Sequence, residues 1–416
     1  MFARLGRSVR LCIGLVAVLI LVASSTAPLR GPQAQLKRYT AALEFDFAGW
    51  TVDAAMVKLS QGALASSGYL PAETRPAVVR ELFRLVDEAE RLDGEVRAAY
   101  AAGQVATPET EARNAHLATL RAQIARLQPV AEAILQEQAS VTIAAAGLAS
   151  TGEPFPPVSF HLSQLPVALV VSPRTEIRQD ALVQLDPGLP LDGQIHLEAR
   201  VEQGLDVSAL VVPVGGIGTY PTMIEETGAL GWVAEVVLHE WTHNWLTLRP
   251  LGWNYETNAS LRTMNETTAQ LMGQALGRLL VARYYPDLAR NATAHAAAMK
   301  RPLSFDFQAE MHATRVHVDE LLAEGKVTEA EGYMEARRQV FVANGYPLRR
   351  LNQAYFAFYG AYADSAQGPA GEDPIGAAVR QLWEAAASPA AFLRQMARMD
   401  SVDDLERAVG RPLTTR

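Results

Sequence analysis

The chain has 416 residues, 49% of them apolar and 20% charged, enough to bury one large core or two modest ones. With 37 Lys and Arg against 45 Asp and Glu, its formal net charge is −8, which argues against nucleic acid as a partner. The single cysteine, Cys12, falls in an N-terminal apolar run, so the rest of the chain has neither a disulfide framework nor thiolate metal ligands. Any metal must be held by His, Asp or Glu.

Residues 1–30 read as an export element. Arg4, Arg7 and Arg10 precede the uncharged stretch Leu11 to Leu29, which is long enough for a helix to cross a bilayer. The positive-inside rule then places the head in the cytoplasm and the bulk of the chain outside. The expectation is a single-pass N-terminal membrane anchor; a signal peptide cut near Ala23-Ser24-Ser25 is the alternative.

Residues 31–150 have a helical pattern. Leu117, Leu120, Ile124, Leu127, Val130 and Ile134 recur at three- and four-residue steps, the stripe of a helix packed on one face. Thr107 and Pro108 supply an N-cap and an N1 proline, followed by Glu109 and Glu111 in the first turn, so a long helix is expected to begin there. With its predecessor, Arg75 to Ala102, it makes a helical hairpin. The stripe drifts from a strict heptad, which favours packing within the chain over a coiled-coil dimer arm.

The texture changes near Gly152, where Pro154, Pro156 and Pro157 mark a linker into a region spanning 151–416. Val167 to Val171, Ala181 to Leu185 and Ser208 to Val214 are short, apolar and β-branched, with turn signals at Pro187-Gly188 and Asp192-Gly193. They predict a small, mostly antiparallel sheet. Gly215-Gly216-Ile217-Gly218 follows the last of these strands, but its spacing matches neither the dinucleotide fingerprint nor the P-loop. A strand exit lining a cleft is expected instead, with Gly215 and Gly216 letting a substrate backbone come close.

The segment Val236 to Trp245 contains His239-Glu240-Trp241-Thr242-His243 in a proline-free apolar stretch. On a helix, residues four apart lie above one another, so both imidazoles can aim at one cation while Glu240 projects beside them. A catalytic zinc needs a third protein ligand and an open position. Arg249 stands where a third histidine six residues on would be needed. Glu266 is the best candidate, because Pro250, Gly252 and Asn254 let the chain turn back and a returning antiparallel helix would carry it over the histidines. Glu256, in the turn itself, is the alternative.

His239-Glu240-x-x-His243 followed by Asn265-Glu266-x-x-Ala269 resembles the gluzincin zinc metallopeptidases, particularly their aminopeptidase-N-like branch. The sequence is also similar to a group of predicted bacterial membrane-associated aminopeptidases, whose later Asn-Asn-Ala segment and tyrosine are echoed in Leu351-Asn352-Gln353-Ala354 and Tyr362. The resemblance covers about residues 205–365. It implies a zincin-like catalytic domain in which an edge strand, here Ser208 to Thr219, holds the peptide. The Gly-Ala-Met-Glu-Asn exopeptidase motif has no counterpart, and Gln270 stands where thermolysin-like enzymes place an aspartate.

The chemistry so implied is peptide hydrolysis, with one Zn2+ on His239, His243 and Glu266, and Glu240 as the general base. Tyr355, Tyr359 and Tyr362 fall at i, i+4 and i+7, and Tyr362 is the candidate for facing the developing oxyanion. His312 and His317 lie on different helix faces and predict no second metal site. Arg337-Arg338 and Arg349-Arg350 could bind a substrate carboxylate, with surface ion pairs the stronger expectation, and three glycosylation-like triplets, at Asn258, Asn265 and Asn291, read as accidental. The reading is thus a helix-rich α+β chain acting as a zinc-dependent peptidase, its rivals a catalytically silent envelope scaffold and a zinc hydrolase of a non-peptide substrate.

Overall fold

A computed structural model describes residues 32–64, 69–101, 107–149, 152–255, 257–290, 305–346, 348–359 and 374–413. It is α+β and predominantly helical, with two small sheets, one antiparallel and one mixed. Two short helices, α1 (Pro32–Thr40) and α2 (Phe47–Leu64), lead to the hairpin of α3 (Arg75–Ala101) and α4 (Pro108–Ala145). Thr107 caps α4 as its sequence suggests, its hydroxyl accepting from the Thr110 amide at 3.2 Å, with Pro108 at the first helical position. The expected stripe is buried: Leu117, Leu120, Ile124 and Ile134 are each less than 10% exposed.

The N-terminal anchor must be corrected. No helix among the described residues is long and apolar enough to cross a membrane, and the stretch Leu11 to Leu29 lies outside the described residues. The described residues therefore give no support to a single-pass membrane location.

Strands β1 (Phe160–Ser163), β2 (Val167–Pro173) and β3 (Ala181–Leu185) are followed by α5 (Leu191–Leu205), β4 (Val207–Pro213), β5 (Gly216–Ile217) and β6 (Thr222–Glu225). The three strands legible in the sequence form one antiparallel sheet in the order β3-β2-β4. Its strands are mostly apolar because both faces are covered. Ala168, Val170, Leu210 and Val212 pack on one side against α9 (Phe307–Ala323), α10 (Val327–Ala343) and α11 (Gln353–Tyr359), while Leu169, Val171, Ala209 and Val211 pack on the other against α1 and α5.

The second sheet, in the order β1-β6-β5, has no counterpart in the sequence reading; β1 pairs with β6 in parallel across some sixty residues of chain. Helices α6 (Leu230–Leu246), α7 (Pro250–Trp253) and α8 (Ala259–Tyr284) follow, and α12 (Pro374–Ala385), α13 (Pro389–Met396) and α14 (Val402–Val409) close the chain. One apolar core runs from the hairpin through α6 and α8 to these last helices.

The sheet edges are mostly stopped. On β4, the Ala209 and Val211 amides donate to Glu202 and Glu198 at 3.1 and 2.7 Å, and their carbonyls accept from Asn352 and Arg349 at 3.0 and 3.1 Å. Ser208 to Pro213 therefore cannot pair with a peptide, which corrects the first half of the edge strand expected over Ser208 to Thr219. Along β1, Gln136 and Glu132 accept from the Phe160 and Leu162 amides at 3.1 and 2.9 Å, and Gln128 donates to the Leu162 carbonyl at 2.7 Å. On β3, Gln184 and Asp186 bond to the backbone of Phe45 and Leu43. The arginines read as surface ion-pair formers include two that are not: Arg349 and Arg350 grip Glu198, which is fully buried.

Candidate metal centre

Helix α6 carries the His-Glu-x-x-His segment and α8 returns antiparallel beside it. The pairing is close because α8 places glycines at the contact: a Cβ on Gly273 would lie 2.8 Å from both the Glu235 carbonyl and the His239 Cβ, and one on Gly277 would lie 2.6 Å from the Glu235 Cγ. This brings Glu266 over the histidines. Helix α8 starts seven residues before Glu266, at Ala259, with the Asn258 side chain accepting from the Leu261 amide at 2.9 Å. Asn258 is thus a helix cap and Asn265 is only 2% exposed, two glycosylation-like triplets explained by structure.

The Nε2 atoms of His239 and His243 are 3.0 Å apart, and the Glu266 Oε2 lies 3.6 Å from the first and 3.3 Å from the second. That triangle leaves a point about 1.9 Å from all three atoms, close to zinc–ligand distances of about 2.0–2.2 Å. The Glu266 Oε2 is buried without a hydrogen bond, a costly arrangement unless a cation completes it. Among the described residues this is the one group of three or more His, Cys, Asp or Glu side chains able to hold a metal. The donor set, two imidazoles and a carboxylate with one side open to a cavity, fits zinc.

Two further residues set up the ligands. Asn265 donates from its amide nitrogen to the Leu251 carbonyl at 3.3 Å, so its oxygen accepts from His243 Nδ1 at 2.8 Å and turns Nε2 toward the triangle. The Tyr255 hydroxyl donates to the Glu266 Oε1. Sequence reasoning gave neither residue this role. Asn265 stood beside the proposed ligand, but its bond to His243 depends on how two helices pack; nothing in the sequence marked Tyr255.

Burial opposes charge on His243, but the Glu266 carboxylate outweighs it and holds the imidazole up at about 9. Glu266 is likewise penalised by burial, yet His243 and His239 keep its carboxyl well below the usual range. Glu240 differs: burial pushes its carboxyl up despite both histidines. It is 7% exposed and lies against Gly216, where a Cβ would come within 2.7 Å of the Glu240 Oε1 and 2.9 Å of the Val236 Cγ1.

Strand β5 hydrogen-bonds to β6 through the Gly215 carbonyl and the Glu225 amide. In that antiparallel register Gly216, opposite Ile224, turns its own amide and carbonyl to the outer edge, beside Glu240. A cavity of about 830 Å³ opens here, lined by Gly216, Gly218, His239, Glu240, His243, Tyr255 and Glu266. Gly215 and Gly216 also border a smaller cavity on the far side of Glu240.

Tyr362 and the alternative ligand Glu256 lie outside the described residues. Of the other two tyrosines, Tyr359 lines the smaller cavity, while Tyr355 is buried in the core beneath β2 and β4. His317 faces Glu320 at 3.3 Å, away from this centre.

The chain matches no family model, and comparisons with curated proteins and with solved structures return no match. The likeness to gluzincins rests on the motif residues themselves.

Proposed function

We propose that the chain is a zinc-dependent peptidase of gluzincin type, with a zincin-like catalytic region built on α6 and α8. The observation that carries this reading is the convergence of His239, His243 and Glu266 on one point, beside a buried carboxylate and an uncapped glycine edge.

Zinc, when held by these three residues, supplies Lewis acidity and makes a neighbouring water ionisable near neutral pH. The chain's own groups do the rest. The outward amide and carbonyl of Gly216 pair with an extended peptide and lay its scissile carbonyl over Glu240. Glu240 takes a proton from the attacking water, whose oxygen bonds to the carbonyl carbon, and passes it to the amine as the C–N bond breaks. Asn265 and Tyr255 hold His243 and Glu266 in place throughout.

The test pairs metal content with Glu240→Gln. The expected result is one zinc per chain in both proteins, with peptide cleavage lowered at least about 10²-fold in the variant. A wild type that binds no zinc would identify a silent scaffold. Zinc binding with no turnover across a peptide library would point to another substrate class.

A further inference from the structure

The cavity of about 290 Å³ beyond Glu240 is near the lower limit for a ligand site. It has room for one side chain. Trp232, Val214, Val236 and Phe358 give it apolar walls, and Glu235 lines it one helical turn before His239. The Glu235 stem lies across Gly277, where a Cβ would come within 2.6 Å of its Cγ. It is half-buried, and among the described residues it has no hydrogen bond and no ion pair. Arg278, the one cation that acts on it, is exposed and not in contact. Burial raises its proton affinity, the sign of a carboxylate that lacks a partner. The side chains of Gln270 and Gln274 also border the space.

Resting on the peptidase reading above, we propose that this cavity is a specificity pocket for a lysine or arginine residue next to the cleaved bond, with Glu235 receiving its cation. The alkyl stem lies along the apolar walls, as long basic side chains do elsewhere, and the charged end meets the carboxylate and the face of Trp232. A free α-amino group has no stem, and would leave those walls uncovered.

The test uses N-terminally blocked peptides carrying lysine or its uncharged counterpart norleucine at each position flanking the cleavage point, with wild type and Glu235→Gln. Wild type is expected to cleave the lysine peptide about tenfold more efficiently, by kcat/KM, at one flanking position; Glu235→Gln removes that advantage and leaves the norleucine peptide unchanged. Calorimetric binding of Nα-acetyl-lysine amide to the same proteins should weaken about tenfold in the variant, independently of turnover. Equal losses on lysine and norleucine, or no preference in wild type, overturn the pocket. A Glu235 effect seen only with unblocked peptides assigns the site to a terminal amine and also overturns it. Binding of lysine amide through Glu235 with no peptide ever cleaved keeps the cation pocket and removes the hydrolysis.

Discussion

Asn265→Ala isolates the part of the centre that no motif describes. Two contacts go: the bond from His243 Nδ1 at 2.8 Å and the bond to the Leu251 carbonyl at 3.3 Å, both at a residue that is 2% exposed. Without the first, His243 can rotate or hold its proton on Nε2, where the metal would bind. Losing such an orienting partner costs about 10–100-fold in metal affinity, or about 1.4–2.7 kcal/mol. The second loss leaves a carbonyl unpaired in the protein interior and lowers fold stability by about 1–3 kcal/mol. The assay is zinc competition against a chromophoric chelator at fixed pH, with circular dichroism to establish that the variant is folded. Asn265→Asp keeps an acceptor for His243 and is expected to recover most of the zinc affinity, though not the bond to Leu251. If folded Asn265→Ala binds zinc within about twofold of wild type, the claim that this amide positions His243 is wrong.

Three other outcomes follow from contacts already described. Gly216→Ala places a methyl against the Glu240 Oε1 and the Val236 Cγ1; it should retain zinc but lose about 10²-fold in kcat/KM, a split that metal analysis beside kinetics would reveal. Gly273→Ala forces α8 away from the Glu235 carbonyl and His239, so denaturant unfolding should show a loss of about 1–3 kcal/mol, with weakened zinc binding. Glu132, fully buried, is opposed by burial, but His161 and Lys58 draw its carboxyl from 4.5 to about 2. Its folded value lies below the unfolded one, so its stabilisation is complete above pH 4.5 and disappears as pH falls through 2. Glu132→Gln should flatten the acid-induced loss of stability in that window by up to about 3 kcal/mol. Chemical denaturation at a series of pH values checks it.

The sequence was most legible where one local period determines the geometry. The four-residue step from His239 to His243 fixes two imidazoles on one helix face whatever surrounds them, and the Thr107-Pro108 start signals a helix through contacts inside its own first turn. Glu266 was reachable because an antiparallel return needs only a short turn. The second sheet was not: Phe160 to Ser163 is too short to stand out, and its partner Thr222 to Glu225 lies far along the chain. Ser208 to Thr219 read as one strand because apolar residues run into glycines, whereas the chain changes sheets between Pro213 and Gly216. Arg349 and Arg350 read as surface charges because nothing near them in sequence reveals that Glu198 is waiting in the interior.

The stopped strand edges bear on how the molecule behaves in a crowd. An exposed strand margin invites a neighbouring copy to add on, and that is how many sheets start to self-associate. Here glutamate, glutamine, asparagine and arginine side chains block β1 and β4 with the hydrogen bonds another chain would otherwise make, and the segment around Leu43 covers part of β3. The backbone left available at β5 is two residues long and sits inside a recess. That length matches a single extended segment better than the broad margin of a second sheet.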